Sequence, residues 1–167
     1  MRGWLAGGLT GIGVLLATPL GAVPTSTFQV TAQIVAGCLV VGGVTNYGVL
    51  DFGTQSALAS GTLSTSLGGA TVTFQCTPGV ALSMSLDGGQ NNASGVRNLK
   101  RTGSTHVLAY QLYRDAAYSQ AFGIGQSVAV SYTDPTAIKL PVYGRVQLTG
   151  TLPAGTYTDV VQVTVTW

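Results

Sequence analysis

LPAGTYTDVVQVTVTW, residues 152–167, is the stretch on which the fold turns. Leu152-Pro153-Ala154-Gly155 makes a turn. Behind it, Tyr157, Val161, Val163, Val165 and Trp167 fall on one side of an extended chain, and Thr158, Gln162, Thr164 and Thr166 fall on the other. A period of two marks a strand with one buried face. The pattern predicts one strand running straight to Trp167, with no further turn or strand to cover its edge.

The same alternation recurs upstream. Phe28, Val30, Ala32 and Ile34 alternate with Gln29, Thr31 and Gln33. Tyr47 to Phe52 is a second apolar run, and the Ser-, Thr- and Gly-rich stretch Ser56 to Gly69 has room for a short edge strand around Leu63. Val72, Phe74 and Cys76 share a face, as do Val80, Leu82, Met84 and Leu86 beyond the turn Thr77-Pro78-Gly79. These two runs are expected to pair as a hairpin. Leu108, Tyr110 and Leu112 point inward on another run, and Val128, Val130 and Tyr132 form the next. Ile138 to Leu148 follows, with Pro141 placing it at an edge or a bulge. About eight strands joined by Gly- and Pro-rich turns predict an all-β, two-sheet antiparallel sandwich.

Composition agrees. Hydrophobic residues make up 46% of the 167 residues and charged residues only 7%, with Asp present and Glu absent. Such a chain has enough apolar surface for one domain, and its β-branched and Gly-rich make-up disfavours helices. A formal charge of +2 is too small and scattered for a nucleic-acid or anionic-membrane partner. Arg97, Lys100 and Arg101 are the one basic cluster, and a solvated loop is the expected setting for them.

Met1 to Ala22 has the form of a signal peptide: Arg2, an apolar stretch from Trp4 to Leu20, then Gly21-Ala22 as small residues for cleavage. The Gly-rich stretch falls short of the ~20 apolar residues of a spanning helix. In an exported chain, the isolated pair Cys38 and Cys76 reads as one disulfide. The alternative, a metal pair, lacks ligands, because His106 is the only histidine and there is no C-x-x-C.

No constellation for catalysis, cofactor binding or metal binding emerges. His106 starts a strand without a Gly-x-Ser-x-Gly elbow. Asp87, Asp115 and Asp134 lie beside Gly, Arg or Pro, where Asp commonly serves turns. Asp51-Phe52-Gly53 copies a kinase triplet without its partners, and Gly123-Ile124-Gly125 lacks the third glycine of a dinucleotide loop. Asn92-Ala93-Ser94 is a formal glycosylation sequon in a loop. The tyrosines at 110, 113, 118, 132, 143 and 157 fall mostly on alternating faces, which favours packing over a sugar platform.

Several segments in order resemble the spore coat protein U domain, shared with archaic Csu-type chaperone–usher pilus subunits. They are Cys38; Asp51-Phe52-Gly53; Cys76; Leu86-Asp87-Gly88-Gly89; Arg97 with Leu99; the run from Leu108 through Tyr110, Leu112, Tyr113 and Arg114 to Asp115; Phe122-Gly123, where the family often carries Trp; Tyr143-Gly144; and Gly155-Thr156-Tyr157-Thr158-Asp159. The resemblance implies an incomplete immunoglobulin-like antiparallel β-sandwich, completed by a donated strand. It also implies a periplasmic chaperone, an outer-membrane usher and neighbouring pilus subunits as partners, with export through the periplasm to a cell-surface fimbrium. On this reading residues 1–22 are the signal peptide, 23–35 the N-terminal segment and 36–167 the sandwich domain. Phe28, Val30, Ala32 and Ile34 are then the plugs of a donor strand, with a first strand of the chain's own domain as the alternative. A self-contained spore- or cell-coat protein and a tip adhesin binding a surface or carbohydrate are the competing functions.

Overall fold

The computed structural model describes residues 26–43, 46–67 and 72–167, so the signal-peptide reading of residues 1–22 lies outside the described residues. The chain divides into Met1–Ile34 and Val35–Trp167. In the first unit, residues 26–34 form no strand, and Phe28, Val30 and Ile34 are 86%, 81% and 96% exposed. The alternation over Phe28 to Ile34 therefore corresponds to no ladder among the described residues.

The second unit is all-β. Its strands are β1 (Cys38–Val40), β2 (Ser60–Leu67), β3 (Phe74–Cys76), β4 (Leu82–Leu86), β5 (Arg97–Arg101), β6 (Val107–Tyr113), β7 (Val128–Val130), β8 (Val142–Thr149), β9 (Tyr157–Thr158) and β10 (Val163–Thr166). They form a five-stranded sheet β2-β8-β6-β5-β9, a three-stranded sheet β10-β4-β7 and the pair β1-β3, with every pairing antiparallel. The sheets share one core. Leu82, Met84 and Leu86 enter it from β4, Tyr110 and Leu112 from β6, and Val142 and Val146 from β8, while Phe74 and Ile138 close it near β3. Leu86 and Ile138 are the deepest large side chains.

Gly144 shows how a loop without strand pairing is locked to this core. A Cβ at that position would lie 2.6 Å from Leu50 Cδ2 and 3.1 Å from Phe52 Cζ. The apolar run Tyr47 to Phe52 thus uses the gap left by a glycine on the inner face of β8, and the Tyr47 hydroxyl donates to Leu140 O at 2.6 Å. The run is not a strand, although Tyr47, Leu50 and Phe52 still pack on the core.

Four expectations change. First, β3 and β4 do not form a hairpin, because β3 pairs with β1 and β4 lies between β10 and β7. The N–H of Thr77 goes to Gly37 O at 2.9 Å, which keeps the end of β3 committed to β1 while the turn carries the chain into another sheet. Second, β8 is a central strand and not an edge. Pro141, which has no N–H for a ladder, stands just before β8 begins at Val142. Third, the C-terminal run is two strands. Tyr157 and Thr158 pair with β5, whereas Val163 to Thr166 pair with β4. Fourth, Arg97, Lys100 and Arg101 lie on strand β5, with Arg97 only 5% exposed.

Cys38 and Cys76 face each other in the β1–β3 register and are joined by a disulfide across 38 residues of sequence. Closing a loop of that length restricts the unfolded chain by about 4 kcal/mol in the entropy model. Cys76→Ser is therefore expected to cost ~2–5 kcal/mol and to lower accumulation of the protein sharply. Urea unfolding, combined with intact mass after alkylation, measures both. Two free thiols in the wild-type protein, or an unchanged urea midpoint in the variant, would contradict the assignment.

Candidate functional site

The three-stranded sheet is protected unequally. β4 sits in its middle, and its inward residues Met84 and Leu86 are 3% and 1% exposed. Directly opposite them in register stand Val165 and Val163 of β10, on the same inward face but only half-buried. Val161, just before β10, shares that environment and packs against the core. Among the described residues no strand pairs with the outer edge of β10. An edge strand of this kind offers a row of backbone donors and acceptors, and the incompletely covered valines beneath it offer apolar surface. Backbone ladder and side-chain pockets together are what an added strand requires.

A buried polar junction fixes where β10 lies. The guanidinium of Arg97 donates from Nε to Asp87 O at 2.9 Å, from Nη1 to Phe122 O at 2.7 Å and from Nη2 to Leu86 O at 3.2 Å. One planar fork thus satisfies carbonyls from two separate segments, which a lysine could not do. Beside it the Tyr110 hydroxyl donates to Asp159 Oδ2 at 2.7 Å, and Asn91 donates to Asp159 Oδ1 through both its backbone and side-chain nitrogens at 3.0 Å. Asp87 Oδ1 accepts from Gln162 N at 2.9 Å, while Asp87 N donates to Gln162 O at 3.1 Å. These bonds hold the crossing from β9 to β10.

Gly89, at φ 78, lies so close to Asp159 that an added Cβ would sit 2.0 Å from Oδ2. Only glycine both takes this backbone conformation and leaves room for the carboxylate. Burial raises the Tyr110 phenol well above its ordinary pKa, and the hydrogen bond to Asp159 adds to the rise, so the hydroxyl stays a donor. Burial lowers the pKa of Arg97, opposed by Tyr110, Asp87 and Asp159.

Residues 24–164 match the Spore Coat Protein U domain. The chain belongs to that family. Protein U of Myxococcus xanthus is 28% identical over 155 residues, which span 87% of this chain and 86% of that protein. Among solved structures, the CsuC–CsuE chaperone–tip adhesion subunit pre-assembly complex from archaic Csu pili of Acinetobacter baumannii aligns with 80% of this chain. It does so at 20% identity and a TM-score of 0.46, and this chain spans 40% of the chain it matches there. The P pilus rod subunit PapA aligns with 77% of this chain and 97% of its own, at 17% identity and a TM-score of 0.47.

In this Protein U domain, motif fragments far apart in sequence become neighbours. Asp87 and Gly89, Arg97, Tyr110, Phe122 and Asp159 all belong to the junction beneath β10. Phe52 meets Gly144 in the core. Asp51, Asp87, Asp115 and Asp134 each accept a hydrogen bond from a backbone N–H a few residues onward, as turn aspartates do. Asp159 and Asp87 also tie distant segments together, Asp159 through Tyr110 and Asn91 and Asp87 through Gln162.

Composition supplied no signal for the burial of Arg97 or for its carbonyl partners. The placement of Arg97 between Val96 and Asn98, opposite Tyr110 on β6, was recoverable only from the pairing. Cys38 and Cys76 are brought together, whereas Phe28, Val30, Ala32 and Ile34 are all exposed. His106 is exposed at the start of β6. Among the described residues no cluster of three His, Cys, Asp or Glu could hold a metal, and no helix is long and apolar enough to cross a membrane.

Proposed function

We propose that this Protein U domain is a structural subunit of a surface fibre assembled by strand addition through the chaperone–usher route. The observation that carries the proposal is the outer edge of β10, where Val161, Val163 and Val165 remain half-buried beside the buried Met84 and Leu86 of β4. A chaperone strand would cover this edge first, and the segment Thr27 to Ile34 of the next subunit would then replace it. Phe28, Val30, Ala32 and Ile34 would face the core as plugs, with Gln29, Thr31 and Gln33 outward. The segment suits this role because its apolar residues are exposed and unpaired in their own chain. The usher, the periplasmic passage and a role in adhesion or biofilm formation belong to the same proposal. The protein works by complementing surfaces and not by catalysis.

The test is direct. The full chain, purified with its chaperone, is mixed with a synthetic peptide spanning Thr27 to Ile34. The peptide should displace the chaperone and leave a monomer that unfolds ~10 °C or more higher, because several kcal/mol of plug burial translate at ~2–4 °C per kcal/mol. A peptide with Asp in place of Val30 should do neither. A chain that is stable and monomeric alone and takes up no peptide would instead be a self-contained coat protein.

A further inference from the structure

The loop after β6 contains a conformational outlier. Tyr118 has φ 57, in the left-handed region that a bulky aromatic residue rarely adopts. Asp115 enforces it: its carboxylate accepts from Gln120 N at 2.7 Å and from Ser119 Oγ at 2.7 Å, while its carbonyl accepts from Tyr118 N at 3.1 Å. Strain held this firmly points toward a use for the side chain it aims.

The Tyr118 ring lies over the outer face of the five-stranded sheet, with its centroid 4.2 Å from Arg145 Cζ on β8. Tyr113 and Tyr143 stand edge-on to the Tyr118 ring at 5.5 and 6.0 Å, and the guanidinium also lies 5.7 Å from the Tyr113 ring centroid. Arg145 has no ion pair with any aspartate. Asp51, Asp87, Asp115 and Asp134 serve backbone N–H groups, and Asp159 serves Tyr110 and Asn91. Arg145 donates from Nε to Ser64 Oγ at 3.3 Å, and its terminal nitrogens have no acceptor among the described residues.

A guanidinium with both terminal nitrogens open is shaped to take a carboxylate in a two-pronged contact. The Tyr113 and Tyr118 hydroxyls donate to Gln111 Oε1 and Thr65 O, and the Tyr118 ring beside the cation offers an apolar face, which suits a sugar ring. The outward positions of β2 and β8 nearby carry Ser, Thr and Gln and no aliphatic residue, so the apolar centre of a protein–protein interface is missing. We infer that Tyr118, Tyr143 and Arg145, backed by the buried Tyr113 ring, form a binding site for a carboxylate-bearing polysaccharide, on a face distinct from the β10 edge and independent of the fibre proposal.

Polygalacturonate is the probe, titrated into the purified full chain at moderate salt, with neutral dextran as the control. Polygalacturonate should bind and dextran should not, and Arg145→Gln should weaken binding by about tenfold or more. Tyr118→Gly is the second variant. Glycine adopts the observed φ without strain, which offsets part of the packing lost with the ring, so the variant should still fold while binding falls by a similar factor. The inference is overturned if polygalacturonate does not bind, or if it binds Arg145→Gln as well as wild type. A Tyr118→Gly variant that unfolds earlier with unchanged affinity would also overturn it, by assigning the ring to packing. So would an Arg145→Gln variant that loses self-association alone, by assigning the face to contact between copies.

Discussion

Val30→Asp is expected to abolish fibre formation while leaving the subunit folded and bound to its chaperone. Val30 is 81% exposed in its own chain, so the substitution places its charge in water there. In a neighbour's groove the same side chain would lie against the half-buried valines of β10. An Asp there would carry an unpaired charge out of water, at a cost of several kcal/mol, and would forfeit the ~1.5–3 kcal/mol that a buried plug contributes. Gln29→Asp and Thr31→Asp place the same charge on the outward side and should assemble normally. Electron microscopy of surface fibres, together with recovery of the chaperone complex, separates the outcomes. Loss of folded subunit in Val30→Asp would show that the segment is the first strand of its own domain.

The second large effect falls on Arg97. Its replacement by Ala leaves the carbonyls of Leu86, Asp87 and Phe122 without the donors that now reach them at 2.7–3.2 Å. Removing a buried charged donor of this kind costs ~3–5 kcal/mol, a large part of the ~5–15 kcal/mol that holds a typical domain folded. The variant should accumulate poorly and unfold at much lower urea. Arg97→Lys should be intermediate, because an ammonium keeps the charge but lacks the fork that reaches several carbonyls together. Since Asp87 also anchors Gln162, strand uptake at β10 should weaken with stability in both variants. A urea midpoint for Arg97→Ala close to wild type would remove the junction from any structural role.

Local chemistry alone determined a good deal. Alternation places inward residues one by one, and Val72, Phe74, Leu82, Met84, Leu86, Tyr110 and Leu112 are all buried as that pattern requires. Two cysteines in an otherwise cysteine-free chain leave one intramolecular bond to form, and Cys38–Cys76 is present. The turn aspartates were also legible, because an Asp reaches its own downstream N–H without help from the rest of the fold.

Tertiary structure decided which strands meet. Thr77-Pro78-Gly79 looks the same whether it returns the chain along its neighbour or passes it to another sheet, and only the bond from Thr77 N to Gly37 O distinguishes them. The alternation from Tyr157 to Trp167 is interrupted at Asp159-Val160 alone and resumes on the same face, although the chain changes sheets there. Side-chain period records which face is inward, not which sheet supplies the partner. The burial of Arg97 was likewise invisible along the chain. A buried cation is tolerable only where acceptors from elsewhere converge, and here they come from segments 10 to 25 residues away.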